Sequence, residues 1–344
     1  MPLLCLRTQM ENGTPWRAVD RDGFLHLSVI SFGIMTKYKT TVGCVLVFGM
    51  CLALLPGQTP AAHAQKSKSN ASMLRAEQDE KAQTIKVYRN DGKEPILTQN
   101  AIQDNRPYLH PIVAPDGKGL LTQYRPAHHL HQTGIFWGFK LVNGREFFMQ
   151  WQGDYYRRVL AKVVEQKGQR VRWQTVYDLL DDEKAVMTET QNWSMQELNG
   201  QYMLDLEWRG EAKTAITLGK TYVGGLFVRI PWREGVHAEA VNAVGQRDHE
   251  IEQQRAIWTD VGIQIDGRDD LGHFAIFDHP DNRGFPVPWR VDSQFGFGPN
   301  LVGTGFRIDK GKTEVFHYRL IGYTGALDSV EMTRKWKEFI KESN

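Results

Sequence analysis

Cysteine is nearly absent from this 344-residue chain. Cys5, Cys44 and Cys51 are its three, and none occurs beyond position 51. The rest of the chain therefore has no disulfides, no thiolate metal ligands and no cysteine nucleophile. It must be held by a hydrophobic core, which a domain of this length can supply. Long apolar runs are also missing. The longest, Val42 to Leu55, covers about 14 residues and is too short for a bilayer core of about 30 Å. No glycine-rich phosphate loop, internal repeat or alternating strand–helix unit is present, which argues against nucleotide-binding α/β folds and a nucleotide cofactor. Neither sign of charge is in excess. Of 42 Lys and Arg and 40 Asp and Glu, five and three fall in residues 1–64, leaving equal numbers beyond. With no basic run longer than Arg157-Arg158, neither nucleic acid nor an anionic membrane surface is an expected partner.

The N-terminal region reads as an export signal. From Met35, Lys37 and Lys39 form a positive start, the apolar run follows, Pro56-Gly57 ends it, and Ala62-His63-Ala64 offers small residues for cleavage. The expected organisation is an upstream extension over 1–34, a signal peptide over 35–64, a polar tether over 65–83 and one domain over 84–344. The mature protein would be periplasmic or extracellular, without membrane insertion, and its oligomeric state is left open.

Beyond Thr84 the pattern is that of β structure. Val171, Trp173, Thr175 and Tyr177 alternate with polar neighbours, as do Leu204, Leu206 and Trp208, and Phe316, Tyr318 and Leu320. Asn143-Gly144 and Asn199-Gly200 suit the positive φ angles of tight hairpin turns, predicting hairpins of 135–142 with 145–151 and of 193–198 with 201–208. One helix is expected at the C-terminus, capped by Asp328 with Glu331 three residues on, and carrying Met332, Trp336, Phe339 and Ile340 on one face. The fold class is all-β: a large antiparallel β-sandwich, of which the galactose-mutarotase-like supersandwich is one form, with a C-terminal helix.

Histidine marks the candidate chemistry. His128, His129 and His131 crowd the segment that begins at Arg125-Pro126, and in an extended strand His129 and His131 would face the same side. Such a pair either contributes two ligands to one divalent metal ion or serves as acid–base groups around a sugar oxygen; the structural alternative is a loop of solvated histidines. Asp278 and His279, at the end of an apolar strand, are a second candidate, with ordinary turn chemistry as the alternative. His110, beside Arg106, is a third, with a packed core histidine as its alternative. Arg106 and Arg125 are candidate anchors for hydroxyl or carboxylate groups. Trp137 and Trp289 are candidate platforms for the flat faces of a sugar, each weighed against a place in the core.

Arg106-Pro107-Tyr108 with His110-Pro111, Arg125-Pro126…His129…His131 leading to Gly134-Ile135-Phe136-Trp137, Gly224 to Arg229, Trp258-Thr259-Asp260 and Ile276 to Asn282 followed by Pro286 and Pro288-Trp289 occur in that order. This set resembles a bacterial exported family of unknown function labelled "methane oxygenase PmoA", over roughly residues 84–325. The label does not fit a chain without a membrane span. The resemblance implies a secreted β-sandwich protein working beside sugar-degrading and sugar-oxidising enzymes. Where the family often reads Asp-His-Pro-His-His-Arg-Gly, this chain has Ala127 to Gly134 without the aspartate and arginine. The expected function is a carbohydrate-directed enzyme, a lyase or hydrolase of glycosides or keto-sugars or an epimerase-like enzyme. The alternative is a non-catalytic carbohydrate-binding protein.

Overall fold

The computed structural model describes residues 70–150 and 154–342. The signal peptide, the upstream extension, residues 65–69 and Trp151 lie outside the described residues. Among the described residues no helix is long and apolar enough to cross a membrane.

Two large antiparallel sheets carry the fold. One has nine strands, in the spatial order Trp289–Val291, Phe297–Pro299, Gly224–Val228, Ile135–Phe139, Tyr108–Ile112, Leu97–Asn100, Thr84–Arg89, Leu74–Asp79 and Lys167–Gly168. The other has eight: Ala238–Asn242, Trp258–Gln264, Leu271–Asp278, Thr313–Thr324, Gln201–Ala212, Lys184–Leu198, Arg170–Asp181 and Tyr156–Glu165. A small ribbon pairs Ile216–Leu218 with Phe306–Ile308. The class is an all-β antiparallel sandwich with one C-terminal helix, as the alternation predicts.

The core lies between the sheets. Trp137 of the nine-stranded sheet stacks on Trp208 of the eight-stranded one, with ring centroids 4.4 Å apart and planes 12° from parallel. Phe316 and Tyr318 tilt against Trp137 at 5.7 and 6.2 Å. The Trp137 N–H is buried without a partner among the described residues, but those of Trp208 and Trp193 are satisfied by a short buried chain: Trp208 donates to Glu189 (3.0 Å), Gln191 to Glu189 (2.9 Å) and Trp193 to Gln191 (3.0 Å). Trp173 donates across the sandwich to Gln99 (3.0 Å). Burial of the Trp208, Trp193 and Trp173 N–H groups is tolerable because each finds a partner.

Most local expectations hold. Asn199-Gly200, with φ of 51° and 72°, joins Lys184–Leu198 to Gln201–Ala212 in a tight hairpin. Asp328 caps the helix Ser329–Glu342 by accepting from Val330 and Glu331 N–H (3.0 and 2.9 Å), and Met332 and Phe339 are buried. Two expectations need correction. Leu74–Asp79, inside the segment read as a tether, is a strand paired along its length with Thr84–Arg89. Leu74 and Ala76 alternate into the core, and Arg75 is fixed by the carbonyls of Arg89, Asn90 and Gly92. The Asn143-Gly144 turn forms, but residues 145–150 do not continue as a strand. Glu146 instead accepts from Phe148 and Met149 N–H (3.0 and 3.1 Å), curling the chain so that Phe147 enters the core and Phe148 the opposite face of the sheet.

The helix covers the outer side of the eight-stranded sheet, packing on Trp258, Phe277 and Tyr323. Beneath it His273 is fully enclosed. Its Nδ1 lies 2.8 Å from Asp260, its Nε2 3.0 Å from the Gly325 carbonyl, and its ring stacks on Tyr323, whose hydroxyl donates to the same aspartate (2.8 Å). Burial alone would lower the imidazole pKa, but the hydrogen bond and charge of Asp260 and the Gly325 carbonyl outweigh it and hold the pKa above its ordinary value. A raised folded-state pKa contributes stability that is complete below the unfolded value of about 6.5 and is lost as pH rises through the folded value. Replacing His273 by Gln is therefore expected to cost about 3 kcal/mol at pH 6, with a deficit that narrows in alkaline buffer. Denaturant unfolding from pH 5 to 9 checks this; a deficit constant over that range would show that folding leaves the imidazole pKa unchanged, and one that shrinks toward pH 5 would show that the folded imidazole is held neutral.

Candidate functional site

Strand alternation divides the nine-stranded sheet into two unlike faces. Ile135, Trp137 and Phe139 point into the core, while Phe136 joins Tyr108, Phe148, Val223 and Phe227 in a separate apolar cluster on the outer face. Lys140 continues the outward row of Phe136 and Gly138, Arg229 follows Phe227, and Arg290 and Asp292 alternate with Trp289 and Val291. The outer face thus gathers its charged side chains on an aromatic floor.

A loop over residues 124–133 arches above this floor. Its base is closed by Arg125 N–H to Gln132 carbonyl and Gly134 N–H to Gln123 carbonyl (2.8 Å each). Arg229, in the adjacent strand extension, clamps both sides of that base through its own N–H and carbonyl. Within the loop, His129 N–H bonds the Pro126 carbonyl (2.8 Å) and Gln132 N–H the His129 carbonyl (3.0 Å). The segment is a pair of turns, the looped rather than the extended of the two forms that Pro126 allows. The turns still bring the imidazoles together: His128 meets His129 at 5.2 Å and His129 meets His131 at 5.6 Å, each edge to face. His131 packs on Phe148 at 5.9 Å.

Two buried arginines support this arrangement. Arg106 lies 3.8 Å above the Phe136 ring and donates to the carbonyls of Phe148 and His131 (2.6 Å each), so it fixes both the floor and the loop. Gly138 makes this possible, because a Cβ there would sit 3.1 Å from Phe148 Cα and 3.2 Å from the guanidinium. Burial pulls the Arg106 pKa down to about 10, which leaves it charged at neutral pH. Arg229 is paired with Asp292 at 2.6 Å and donates to the Gln294 carbonyl (2.8 Å). Asp292 also accepts from Gln294 and Gly296 N–H (2.9 and 2.8 Å).

Between loop and floor is a cavity of about 90 Å³, reached by His129, His131, Gln132, Lys140, Arg290 and Asp292 above the rings of Phe148 and Phe227. Tyr222 stands at its edge, half-exposed, with Lys140 donating to its hydroxyl (2.8 Å) and Arg290 5.1 Å over its ring. His131 is pushed down to about 4, by burial first and then by the charges of Arg106, His129, Arg229 and Lys140. His129 is lowered by burial and by Arg229, with Asp292 opposing. Both rings are therefore neutral near pH 7. The Nδ1 of His129 and the Oε1 of Gln132 are buried without a hydrogen-bond partner among the described residues.

The remaining candidates are distributed as follows. His110 lies on the same outer face, bonded to Thr122 (3.0 Å), stacked on Tyr124 at 5.6 Å, and lowered to about 4 by burial, but it does not line the cavity. Arg125 is exposed at the loop base with φ of 46°. Trp137 and Trp289 are not platforms: both are closed inside the core, Trp289 donating to the Ala256 carbonyl (2.8 Å). Asp278 and His279 do not join the site either. Asp278 is buried, lifted to about 7 by that burial, and holds its own turn by accepting from Asn282 (2.8 Å) and Val287 N–H (3.0 Å). His279 is covered by Phe339 of the helix (5.1 Å) and by His317 (5.5 Å). Among the described residues no group of three or more His, Asp or Glu side chains is arranged to hold a metal ion. The donor set beside His129 and His131 does not fit one, since Asp292 is already engaged by Arg229 and two N–H groups. Lys140, Tyr222, Arg290 and Asp292 were not singled out from the sequence, although alternation from Trp137 and Trp289 places three of them outward once those tryptophans are assigned to the core.

A broader groove of about 500 Å³ crosses the outer face of the eight-stranded sheet. Its polar groups bond one another: Gln174 to Asn192 (2.7 Å), Asn192 to Glu207 (2.9 Å) and Arg319 to Asp205 (2.6 Å). Self-satisfied rows of this kind describe a solvated sheet face, and the histidine cavity is the better candidate despite its size.

Residues 85–337 match the family of unknown function DUF6807. No curated protein matches the sequence. Among solved structures the chain is similar to the GH36 α-galactosidase AgaB from Geobacillus stearothermophilus, at 8% identity, over 73% of this chain and 41% of that one, with a TM-score of 0.40. It is also similar to a galactose mutarotase related enzyme from Lactobacillus acidophilus, at 10% identity, over 73% and 97% of the chains, with a TM-score of 0.29. The chain spans about two-fifths of the length of the α-galactosidase. No residue role or activity is carried over from either.

The Arg229–Asp292 pair depends on the absence of a side chain at position 296, where a Cβ would lie 1.8 Å from the guanidinium and 2.8 Å from the carboxylate. Gly296→Ala is expected to separate the pair and lower unfolding stability by about 3–5 kcal/mol. A denaturant midpoint equal to that of the unchanged protein would contradict the buried pair.

Proposed function

The chain belongs to the DUF6807 family of unknown function, and from that premise we propose that it is an exported carbohydrate-directed enzyme using His129 and His131 as acid–base groups. The observation that carries this reading is the pair of neutral imidazoles at one small cavity floored by aromatic rings. The exposed Tyr222 ring at the mouth of the cavity suits the C–H face of a sugar, and the surrounding donors suit its hydroxyls. A neutral imidazole can accept a proton from a sugar hydroxyl, or from a carbon beside a carbonyl, and return it to another oxygen. His129, with its Nδ1 free of protein partners among the described residues, is the group placed to take up that proton. His131, whose backbone is anchored by Arg106, is the second member of the pair. Arg106 and Arg229 act on the reaction only through the loop they hold and the field they exert. Proton exchange of this kind serves epimerisation, elimination from a keto-glycoside and hydrolysis alike. Export is supported by the pattern of residues 35–64.

The test is incubation of the purified protein in D₂O with neutral and acidic aldoses, keto-sugars and their aryl glycosides, followed by proton NMR. Turnover reads as exchange of a C–H signal, a changed anomer or epimer ratio, or aglycone release. His129→Gln and His131→Gln are each expected to lower the rate by about 10²–10⁴ with little change in melting temperature. Full rates in both variants would remove the acid–base assignment, and sugar binding without turnover would leave a carbohydrate-binding protein.

A further inference from the structure

The cavity is too small for a whole sugar. At about 90 Å³ it falls well below the roughly 300–1,000 Å³ of sites that enclose a drug-sized ligand. One substituent can enter, while the ring lies over the mouth beside the exposed side of Tyr222.

The charges around the cavity select that substituent. Arg106 is a buried cation with no carboxylate within ion-pair distance among the described residues. Both of its terminal nitrogens are used on carbonyls, and its Nε is without a partner there. Leaving such a charge uncompensated is costly, and its field reaches the cavity through His131 and Phe148, the two wall residues it holds. Lys140 adds a second cation at the wall, bonded to a neutral phenol. The nearby acids offset them only in part: Asp292 is paired with Arg229, and Glu252 accepts from Arg290 (2.7 Å) and Val291 N–H (2.8 Å). Glu189 and Glu146 reach Arg106, and Glu146 reaches Lys140, from beyond ion-pair distance, with Glu146 engaged by Phe148 and Met149 N–H.

We infer that this cavity takes the carboxylate of an acidic sugar, a uronic- or aldonic-acid unit, on Lys140 and in the field of Arg106. This rests on the proposed sugar chemistry and narrows its substrate class. Phosphate fits less well, because phosphate sites draw on converging backbone N–H groups at helix N-termini or nests; here side chains line the cavity. The inference also accounts for the state of the imidazoles. In the free protein, burial and the surrounding cations suppress protonation of His131. A carboxylate placed among those cations cancels part of their field and moves the ring toward titration near neutrality, where proton exchange is most effective. The acidic substrate thereby switches on the group that acts on it.

Calorimetric titration of the purified protein with glucuronate, galacturonate, their methyl esters, glucose and inorganic phosphate, at low and high salt, tests the inference. A uronate is expected to bind more than about tenfold more tightly than its ester or glucose, with affinity falling as salt rises. Lys140→Met is expected to remove most of that preference without moving the unfolding midpoint, and bound uronate is expected to raise the His131 titration seen by NMR. Esters or glucose binding as tightly as the acids, phosphate binding as tightly as uronate, no uronate binding, or an unchanged preference in Lys140→Met would each overturn it. The two readings fail separately. Uronate bound through Lys140 but never turned over would end the acid–base reading and leave the carboxylate pocket standing. Neutral sugars turned over by His129 and His131 would do the reverse.

Discussion

The stacking of Trp137 on Trp208 decides which way every neighbouring side chain faces. Two indoles in parallel contact between the sheets bury a large apolar area, and the chain Trp208–Glu189–Gln191–Trp193 supplies hydrogen bonds for Trp208, while the Trp137 N–H is left without a partner among the described residues. Because successive residues of a strand point to opposite faces, fixing Trp137 inward sends Phe136 and Lys140 outward. A register slip of one residue would drive a lysine into the core and expose an indole, a reversal that strongly selects against any other pairing. The same logic operates at the sheet edge, where burial of Trp289 and Val291 sends out Arg290 and Asp292. The candidate site is therefore a by-product of core packing: its floor and charges are the alternate residues of strands whose inward members hold the sandwich together.

Two buried guanidiniums then divide the work of shaping that face. Arg229 is neutralised in place by Asp292, and its backbone closes the base of the histidine loop. Arg106 has no such counter-ion and spends its donors on the Phe148 and His131 carbonyls. Burial first, then the charge of Arg229 at both imidazoles and of Arg106 at His131, holds the pKa of His129 and His131 below the ordinary value, so both are neutral near pH 7. The arrangement is one in which the incoming molecule supplies the missing negative charge.

How much of this was legible in the sequence follows the range of the forces involved. Alternation over Val171–Tyr177 and Leu204–Trp208, the Asn199-Gly200 turn and the Asp328 cap are local, and each appears as read. Leu74–Asp79 was hidden because its composition is polar, and only pairing with Thr84–Arg89 makes it a strand. The stretch after Asn143-Gly144 carries strand-like aromatics, yet the Glu146 side chain captures the N–H groups a ladder would need. The histidine cluster was visible as a cluster, whereas its conformation as two turns depends on closure by Arg229, about a hundred residues away. Trp137 and Trp289 were weighed as sugar platforms against a place in the core, and the core holds both. A period of two gives the alternation but not its sign, which depends on what the opposite sheet presents.

The Asp278–His279 segment shows why residue type alone does not mark a site. It offers an aspartate and a histidine at a strand end before a proline-rich loop, as good a sequence candidate as the histidine loop. In the fold, both oxygens of Asp278 are taken by Asn282 and Val287, and the helix closes over His279. His273 is equally unavailable, since Asp260 and Gly325 bind both of its nitrogens. His279 Nε2 is likewise buried without a partner among the described residues; what sets His129 apart is that its ring, with an unpaired Nδ1, is fixed by its turn and arginine clamp in the wall of a cavity. A group held rigidly and left unsatisfied costs stability unless something outside the chain completes it. That cost, carried in a cavity wall where Lys140, Arg290 and the Tyr222 ring also converge, is the physical argument for locating the chemistry there.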